Sequence, residues 1–122
     1  MSPSSIEKSL HAKQKSWRRR YERYRTDFPL KAKVLRETGY EELQGRCGDI
    51  GHGGIGAVFT AECVKGEVVS LEFSLPDSPI PLEVRSIVRY QKGFLHGLEF
   101  LGLTDEQRGA IETFCSTLTP SD

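Results

Sequence analysis

Apolar and polar residues alternate with a period of two along most of the chain after Phe28. Such alternation places successive side chains on opposite faces of a β-strand, and Gly, Pro, Asp and Ser, which favour turns, separate the segments that show it. Six such segments, each with one polar face, predict a small antiparallel β-barrel and a mostly β fold. The predicted strands cover residues 30–34, 41–50, 55–61, 69–75, 82–89 and 94–100.

A helix is predicted after the last strand. Thr104 and Gln107 have the spacing of a capping box, and acidic residues occupy the first turn. Four apolar residues then follow at the spacing i, i+3, i+4 and i+7, which forms one face of a helix that would pack on the barrel. They are Ile111, Phe114, Cys115 and Leu118, and Pro120 is expected to end the helix.

The amino-terminal residues have a different texture. Ser4 and Glu7 form another capping box, and Lys, Gln and Ala are frequent afterwards, so a helix over about residues 5–20 is plausible. Its apolar residues are too few for a defined buried stripe, and contacts with the barrel or a second subunit would have to stabilise it. The sequence leaves a homodimer open.

Length and composition indicate one domain with one modest core, since the chain has 122 residues of which 37% are hydrophobic. The first residues lack the apolar run of a signal peptide, and no stretch approaches the roughly 18 apolar residues of a spanning helix. We therefore expect a cytoplasmic protein without a membrane segment. The three cysteines are widely spaced and are expected to be reduced thiols.

Charge is strongly segregated although the formal net charge is zero. Residues 8–25 contain eight Lys or Arg and one acid, Glu22, so this stretch carries +7. Five arginines fall within residues 18–25. Because guanidinium groups bind phosphate and the edge of guanine through two parallel hydrogen bonds, this cluster predicts an anionic partner.

A glycine-rich loop at residues 48–56 lies between the second and third predicted strands, with five glycines in nine positions. Gly51, Gly53 and Gly56 match the spacing of the dinucleotide fingerprint, but a strand follows where that motif requires a helix. The motifs of a P-loop and of a protein kinase are missing. A structural role, as a glycine-rich hairpin or bulge at a barrel corner, remains open for the loop considered alone.

The arginine cluster and the loop together resemble the two-part signature of the PilZ domain. Arg19 and Arg23 match its Arg-x-x-x-Arg motif, and Asp49 and Gly54 match its Asp/Asn-x-Ser-x-x-Gly motif, with Gly51 in place of the serine. The resemblance extends over about residues 17–118, including the strand count and a closing helix. It implies a PilZ-like barrel at 17–118, preceded by a helical or flexible arm at 1–16 and followed by a tail at 119–122.

The family binds the bacterial second messenger cyclic di-GMP, and the resemblance implies the same ligand and no further cofactor here. Arg19 and Arg23 would bind phosphate and the O6/N7 edge of guanine, Asp49 would accept hydrogen bonds from guanine, and Gly54 would shape the turn. Arg18 would stack on a second guanine, which goes with two ligand molecules per site, and Arg20 could point either way. Loss of the serine hydroxyl at Gly51 is expected to cost about 1 kcal/mol, up to tenfold in affinity.

The expected function is a ligand-switched receptor that acts on a downstream protein. No catalytic constellation is evident, since the histidines are scattered and no nucleophile has a base beside it, so no enzyme activity is expected. His52 lies in the loop, where an exposed turn residue is the favoured interpretation over a ligand contact. A metal site at Cys47 and His52 lacks a second pair of ligands.

Three alternatives stay open. The basic arm, whose Trp17, Tyr21 and Tyr24 could stack on bases, could bind nucleic acid, but residues 26–122 carry −6, so no DNA or RNA partner is expected. The barrel could have lost the ligand and serve as a protein-interaction module, for which Gly51 is the best argument. The arm could also be a solvated basic helix without a specific role. Arg85 and Arg89 are interpreted as solvated charges, with a minor role beside the ligand left open.

Overall fold

Six antiparallel strands form a closed barrel in the computed structural model, which describes residues 22–119. The strand order around the barrel is β1-β2-β3-β6-β5-β4, and pairing of β1 with β4 closes it. The predicted six-stranded barrel and carboxy-terminal helix are confirmed. The elements are β1 (Tyr24–Arg36), β2 (Gly39–Ile50), β3 (Gly54–Phe59), β4 (Val68–Ser74), β5 (Pro81–Lys92), β6 (Leu95–Leu101) and α1 (Asp105–Cys115).

The period-two alternation sorts side chains between the barrel interior and its outer surface. Ala32 pairs with Leu43 on β2 and with Leu71 on β4, and all three are buried. Ser86 follows the same alternation into the interior, where its hydroxyl donates a hydrogen bond to the Val69 carbonyl. Burying this hydroxyl is tolerated because it has a partner.

Several element boundaries differ from the predictions. β1 begins at Tyr24, directly after Arg23, so the last arginine of the motif is joined to the barrel without a spacer. β6 begins at Leu95 because Gly93, at a left-handed φ of 60°, forms the turn with the residue after it. α1 ends at Cys115, several residues before Pro120, so the proline is not what ends the helix. The predicted helix over residues 5–20 lies outside the described residues.

Helix α1 packs against the barrel core through its buried face, which contains Ile111, Phe114 and Cys115. The predicted capping box is present, with the Gln107 amide donating to the Thr104 hydroxyl and the Thr104 amide donating to the Gln107 side chain, both at 3.0 Å. The Gln107 side chain also donates to the Glu83 carbonyl on β5 at 2.8 Å. Phe114 packs edge-on against Phe28 of β1 with ring centroids 6.2 Å apart. No helix among residues 22–119 is long and apolar enough to cross a membrane.

His96 is a fully buried polar side chain that connects β6 to the loop after β3. Its Nε2 accepts a hydrogen bond from the Cys63 amide at 2.9 Å, so the proton is assigned to Nδ1, which lies 2.7 Å from the Phe94 carbonyl. Burial lowers the pKa of His96 because it disfavours the imidazolium. A protonated ring could not accept from Cys63, so the folded barrel holds His96 neutral.

The free energy of unfolding is therefore expected to fall as the pH drops below about 6.5, the ordinary pKa of histidine. As the pH falls, the unfolded chain protonates His96 before the folded chain does. The contribution of neutral His96 to the free energy of unfolding is therefore complete above that pH, and below it is lost at up to about 1.4 kcal/mol per pH unit. Urea unfolding at pH 7.5, 6.5, 5.5 and 5.0 measures the slope, with His96→Gln as the matched variant. An equal slope in the two proteins would contradict this assignment.

All three cysteines are free and buried. Burial, together with the negative charge of Asp49, raises the pKa of the Cys47 thiol, and burial raises that of Cys115 to about 11. These thiols therefore remain protonated near neutral pH, which makes them poor nucleophiles and metal ligands.

Candidate ligand-binding site

Arg23 and Asp49 form an ion pair that joins the arginine motif to the glycine-rich loop. An Arg23 guanidinium nitrogen donates to the Asp49 carboxylate, although the two residues are 26 positions apart in sequence. The side chains retain 13% and 28% of their exposure, so the pair is partly shielded from water and screened less than a surface pair. The fold thus places two of the predicted site residues in direct contact.

Asp49 owes its position to a register shift in β2. Pairing with β3 is regular up to Cys47 and shifts before Asp49, which then lies opposite Gly56. A Cβ atom on Gly56 would lie 2.7 Å and 2.9 Å from the two carboxylate oxygens of Asp49. Asp49 therefore lies over Gly56 on the outer surface of β3, and any larger residue at position 56 would displace it.

A row of paired residues next to Asp49, which we call the glycine floor, runs from β3 across β6 to β5. Gly56 pairs with Gly97 on β6, and Gly97 pairs with Tyr90 on β5. Both glycines are buried and Tyr90 is half-buried. One row farther along the sheet, Arg89 donates to Glu99 at 2.6 Å. Arg89, interpreted from the sequence as a solvated charge, is 45% exposed, and it lies on β5, three strands away from Asp49 on β2.

The glycines of the loop allow neighbouring backbone and side-chain atoms to approach closely, and they do not adopt left-handed backbone angles. Left-handed φ angles occur among the described glycines at Gly39, Gly66, Gly93 and Gly102, and none of these belongs to the loop. Gly54 takes part in the turn through its carbonyl oxygen, which accepts from the Gly51 amide at 2.8 Å, and not through a left-handed φ angle. Gly54 is the first residue of β3, and a Cβ there would overlap the carbonyl oxygen of Leu98 on β6.

Gly51 allows the chain before β1 to lie against the loop. A Cβ at this position would be 2.5 Å from the Glu22 carbonyl oxygen and 3.4 Å from Cδ of Arg23. A serine, which the related motif has here, would therefore need the Glu22–Arg23 backbone to move. The departure from the motif has a structural role that the sequence alone did not reveal.

Two aromatic rings next to the ion pair were not predicted as a unit. Tyr24 follows Arg23 and is partly buried against the core, and His52 is exposed at the tip of the loop. Their ring centroids are 6.4 Å apart and the ring planes differ by 26°. The sequence pointed to Tyr24 only as an aromatic residue of the basic arm, and nothing in the sequence indicates that it meets His52.

The remaining predicted site residues, Arg18, Arg19 and Arg20, lie outside the described residues. Within residues 22–119, no three His, Cys, Asp or Glu side chains are grouped so as to hold a metal ion. What this part of the chain assembles is a basic and acidic pair on a glycine floor, suited to a ligand that has both phosphate and hydrogen-bonding base edges.

The model of the PilZ domain family matches residues 18–117, most of the chain. The chain belongs to the PilZ domain family. The predicted membership of this family is thereby confirmed, and the matched residues span the arginine cluster, the loop and α1. A search of curated protein sequences found no match.

Solved PilZ structures share the fold. The PilZ domain of Escherichia coli YcgR, solved with c-di-GMP, superposes with a TM-score of 0.67 at 16% identity, covering 83% of this chain and 91% of that one. The PilZ domain of CeSA from a cellulose-synthesizing bacterium gives a TM-score of 0.60 at 12% identity, covering 78% of this chain and 95% of that one. The Bacillus subtilis inhibitor of motility, MotI/DgrA, gives a TM-score of 0.60 at 22% identity, covering 80% of this chain and 49% of that one. At these identities the likeness concerns the barrel itself.

Proposed function

We propose that this PilZ domain is a receptor for cyclic di-GMP. The observation that carries the proposal is the contact between Arg23 and Asp49, which unites the two halves of the motif in one partly shielded pair. Membership of the family and the structural likeness to a PilZ domain solved with c-di-GMP support it. A receptor for this messenger would work in the bacterial cytoplasm.

Each group has a definite role in the proposed complex. A carboxylate has two oxygens and about four acceptor positions, so Asp49 can keep its contact with Arg23 and still accept from guanine N1–H and the exocyclic amine. Arg23 and Arg19 supply donors to phosphate and to the O6/N7 edge. Arg18 would stack on a guanine of a second ligand molecule, so we propose two ligands per site.

Ligand binding would act as a switch. The basic residues before β1 are clustered in sequence, and the phosphates of the ligand would offset their mutual repulsion and hold the arm on the barrel. The position of the arm would then determine which surface the protein offers to a downstream partner. No step of this mechanism requires bond making or breaking, in keeping with a receptor rather than an enzyme.

Isothermal titration with cyclic di-GMP tests the proposal. Arg19→Ala, Arg23→Ala and Asp49→Ala are each expected to weaken binding about ten- to a hundredfold, since each removes charge-assisted hydrogen bonds worth roughly 1.5–3 kcal/mol. The exposed Arg108→Ala and Asp77→Ala are matched controls that should bind as the wild type does. A wild-type stoichiometry near two should fall to one in Arg18→Ala. Binding that survives all three site substitutions would overturn the site.

A second candidate function is a protein-interaction module that has lost the ligand. It is favoured by three exposed apolar side chains near one end of the β3–β6 pair, Val58, Phe94 and Leu95, which are 51%, 54% and 43% exposed. Val58 pairs with Leu95, and the row continues to Arg46 on β2 and Lys92 on β5. A wild-type protein that shows no binding at millimolar cyclic di-GMP would favour this candidate.

A further inference from the structure

The Tyr24 and His52 rings lie beside the proposed phosphate and guanine contacts. Tyr24 is covalently next to Arg23, and His52 follows Gly51, whose Cβ position is 3.4 Å from Cδ of Arg23. Tyr24 of β1 also pairs with Ile50 of β2, the residue after Asp49. Both rings therefore lie next to Arg23 and Asp49, the residues proposed to bind the phosphates and the base edges of the ligand.

The turn that carries His52 is firmly held. The Gly51 amide donates to the Gly54 carbonyl at 2.8 Å, which closes a two-residue loop of His52 and Gly53. The Gly53 carbonyl accepts from the Phe100 amide of β6 at 2.8 Å. His52 is thus an exposed ring on an anchored backbone, and little conformational entropy would be lost when a ligand contacts it.

The two rings are nearly parallel but do not cover each other closely. Their centroid separation of 6.4 Å, at an interplanar angle of 26°, is near the long end of the range for aromatic pairs. Tyr24 is held by the core on which it packs, whereas His52 is exposed to solvent. The His52 ring therefore lies nearly parallel to Tyr24 and retains surface available to a planar ligand.

We infer that His52, oriented by Tyr24, provides a stacking surface for a guanine base of the ligand. The inference rests on the proposed function and adds a contact of a different kind to it. In the proposed complex, Asp49, Arg19 and Arg23 contact base edges and phosphates, and Arg18 stacks on a guanine of the second ligand molecule. None of them covers the face of the base whose edge Asp49 contacts. An aromatic ring beside Asp49 supplies that face, and stacking of a base on an aromatic side chain is typically worth about five- to a hundredfold in affinity.

Four variants test the inference in cyclic di-GMP titrations. His52→Ala is expected to weaken binding about five- to fiftyfold, and His52→Phe, which keeps a ring, should bind within about threefold of the wild type. Tyr24→Phe keeps the ring that orients His52 and should also bind normally, whereas Tyr24→Leu should weaken binding in the same direction as His52→Ala. Thermal unfolding of each variant reports whether the barrel itself is affected, and His52→Ala should leave it unchanged because the side chain is exposed.

A readout of stacking itself separates this role from a merely structural one. In proton NMR spectra of the wild type, the His52 ring protons should shift upfield when cyclic di-GMP is added, because they would lie over a guanine ring. A wild type that binds while His52→Ala keeps full affinity, or whose His52 signals do not move, would overturn the inference and leave the proposed function standing. A wild type that does not bind would overturn the proposed function first.

Discussion

Gly54→Ala is expected to lower the free energy of unfolding by about 3 kcal/mol or more, the upper end of the cost of overpacking. The new Cβ would overlap the Leu98 carbonyl oxygen and would lie 3.1 Å and 3.2 Å from two further backbone atoms of Leu98 and Glu99. Backbone of a buried paired strand cannot move aside as the end of a flexible side chain can. The clash would therefore push β3 away from β6 and weaken the hydrogen bonds between them.

Thermal and urea unfolding measure the effect. For a domain of this size, a loss of about 3 kcal/mol corresponds to a fall in Tm of roughly 12 °C or more. Gly48→Ala is the matched control, because a Cβ at Gly48 meets no described atom within 4 Å and the same change there should be neutral or slightly stabilising. Equal Tm values for Gly54→Ala and the wild type would contradict the prediction, because β3 and β6 could then move apart without a loss of stability.

The barrel was predictable because the physical requirement behind it is local. Alternation of apolar residues decides which side chains enter the interior, and it placed even the polar Ser86 on the buried face. The capping box at Thr104 was likewise readable, since it needs only two side chains three positions apart. Strand ends were less accurate, because β1 extends back to Tyr24 across a register shift between Arg25 and Phe28 that the sequence does not indicate.

The geometry of the candidate site could not be predicted from the sequence. The pattern of motif residues singled out Arg23 and Asp49, but their contact depends on a register shift that no local pattern encodes. The roles of Gly54 and Gly56 depend on which strand lies beside each of them, since a glycine required for close approach and one required for a left-handed turn look alike in sequence. No role for His96 could be predicted from the sequence either, because its hydrogen-bond partner, the Cys63 amide, is 33 positions away.

Substitutions of Gly51 distinguish two explanations for the glycine that stands in place of the motif serine. One attributes weaker ligand binding to the lost hydroxyl, and it predicts that Gly51→Ser gains up to tenfold in affinity while Gly51→Ala is neutral. The other follows from the 2.5 Å between the Cβ position and the Glu22 carbonyl oxygen, an approach that real Cβ atoms do not make. Either side chain would then displace the Glu22–Arg23 backbone and draw Arg23 away from Asp49.

We expect the second explanation to hold, so that Gly51→Ala and Gly51→Ser both weaken cyclic di-GMP binding by about tenfold or more. The reason is that ligand binding benefits from an Arg23–Asp49 pair that is already assembled, and about 1–3 kcal/mol is a usual cost for overpacking. Titrations of both variants beside Gly48→Ala measure the effect, and Gly51→Ala separates the Cβ from the hydroxyl. Tighter binding by Gly51→Ser than by the wild type would show instead that the backbone before β1 yields readily and that the hydroxyl is what the site lacks.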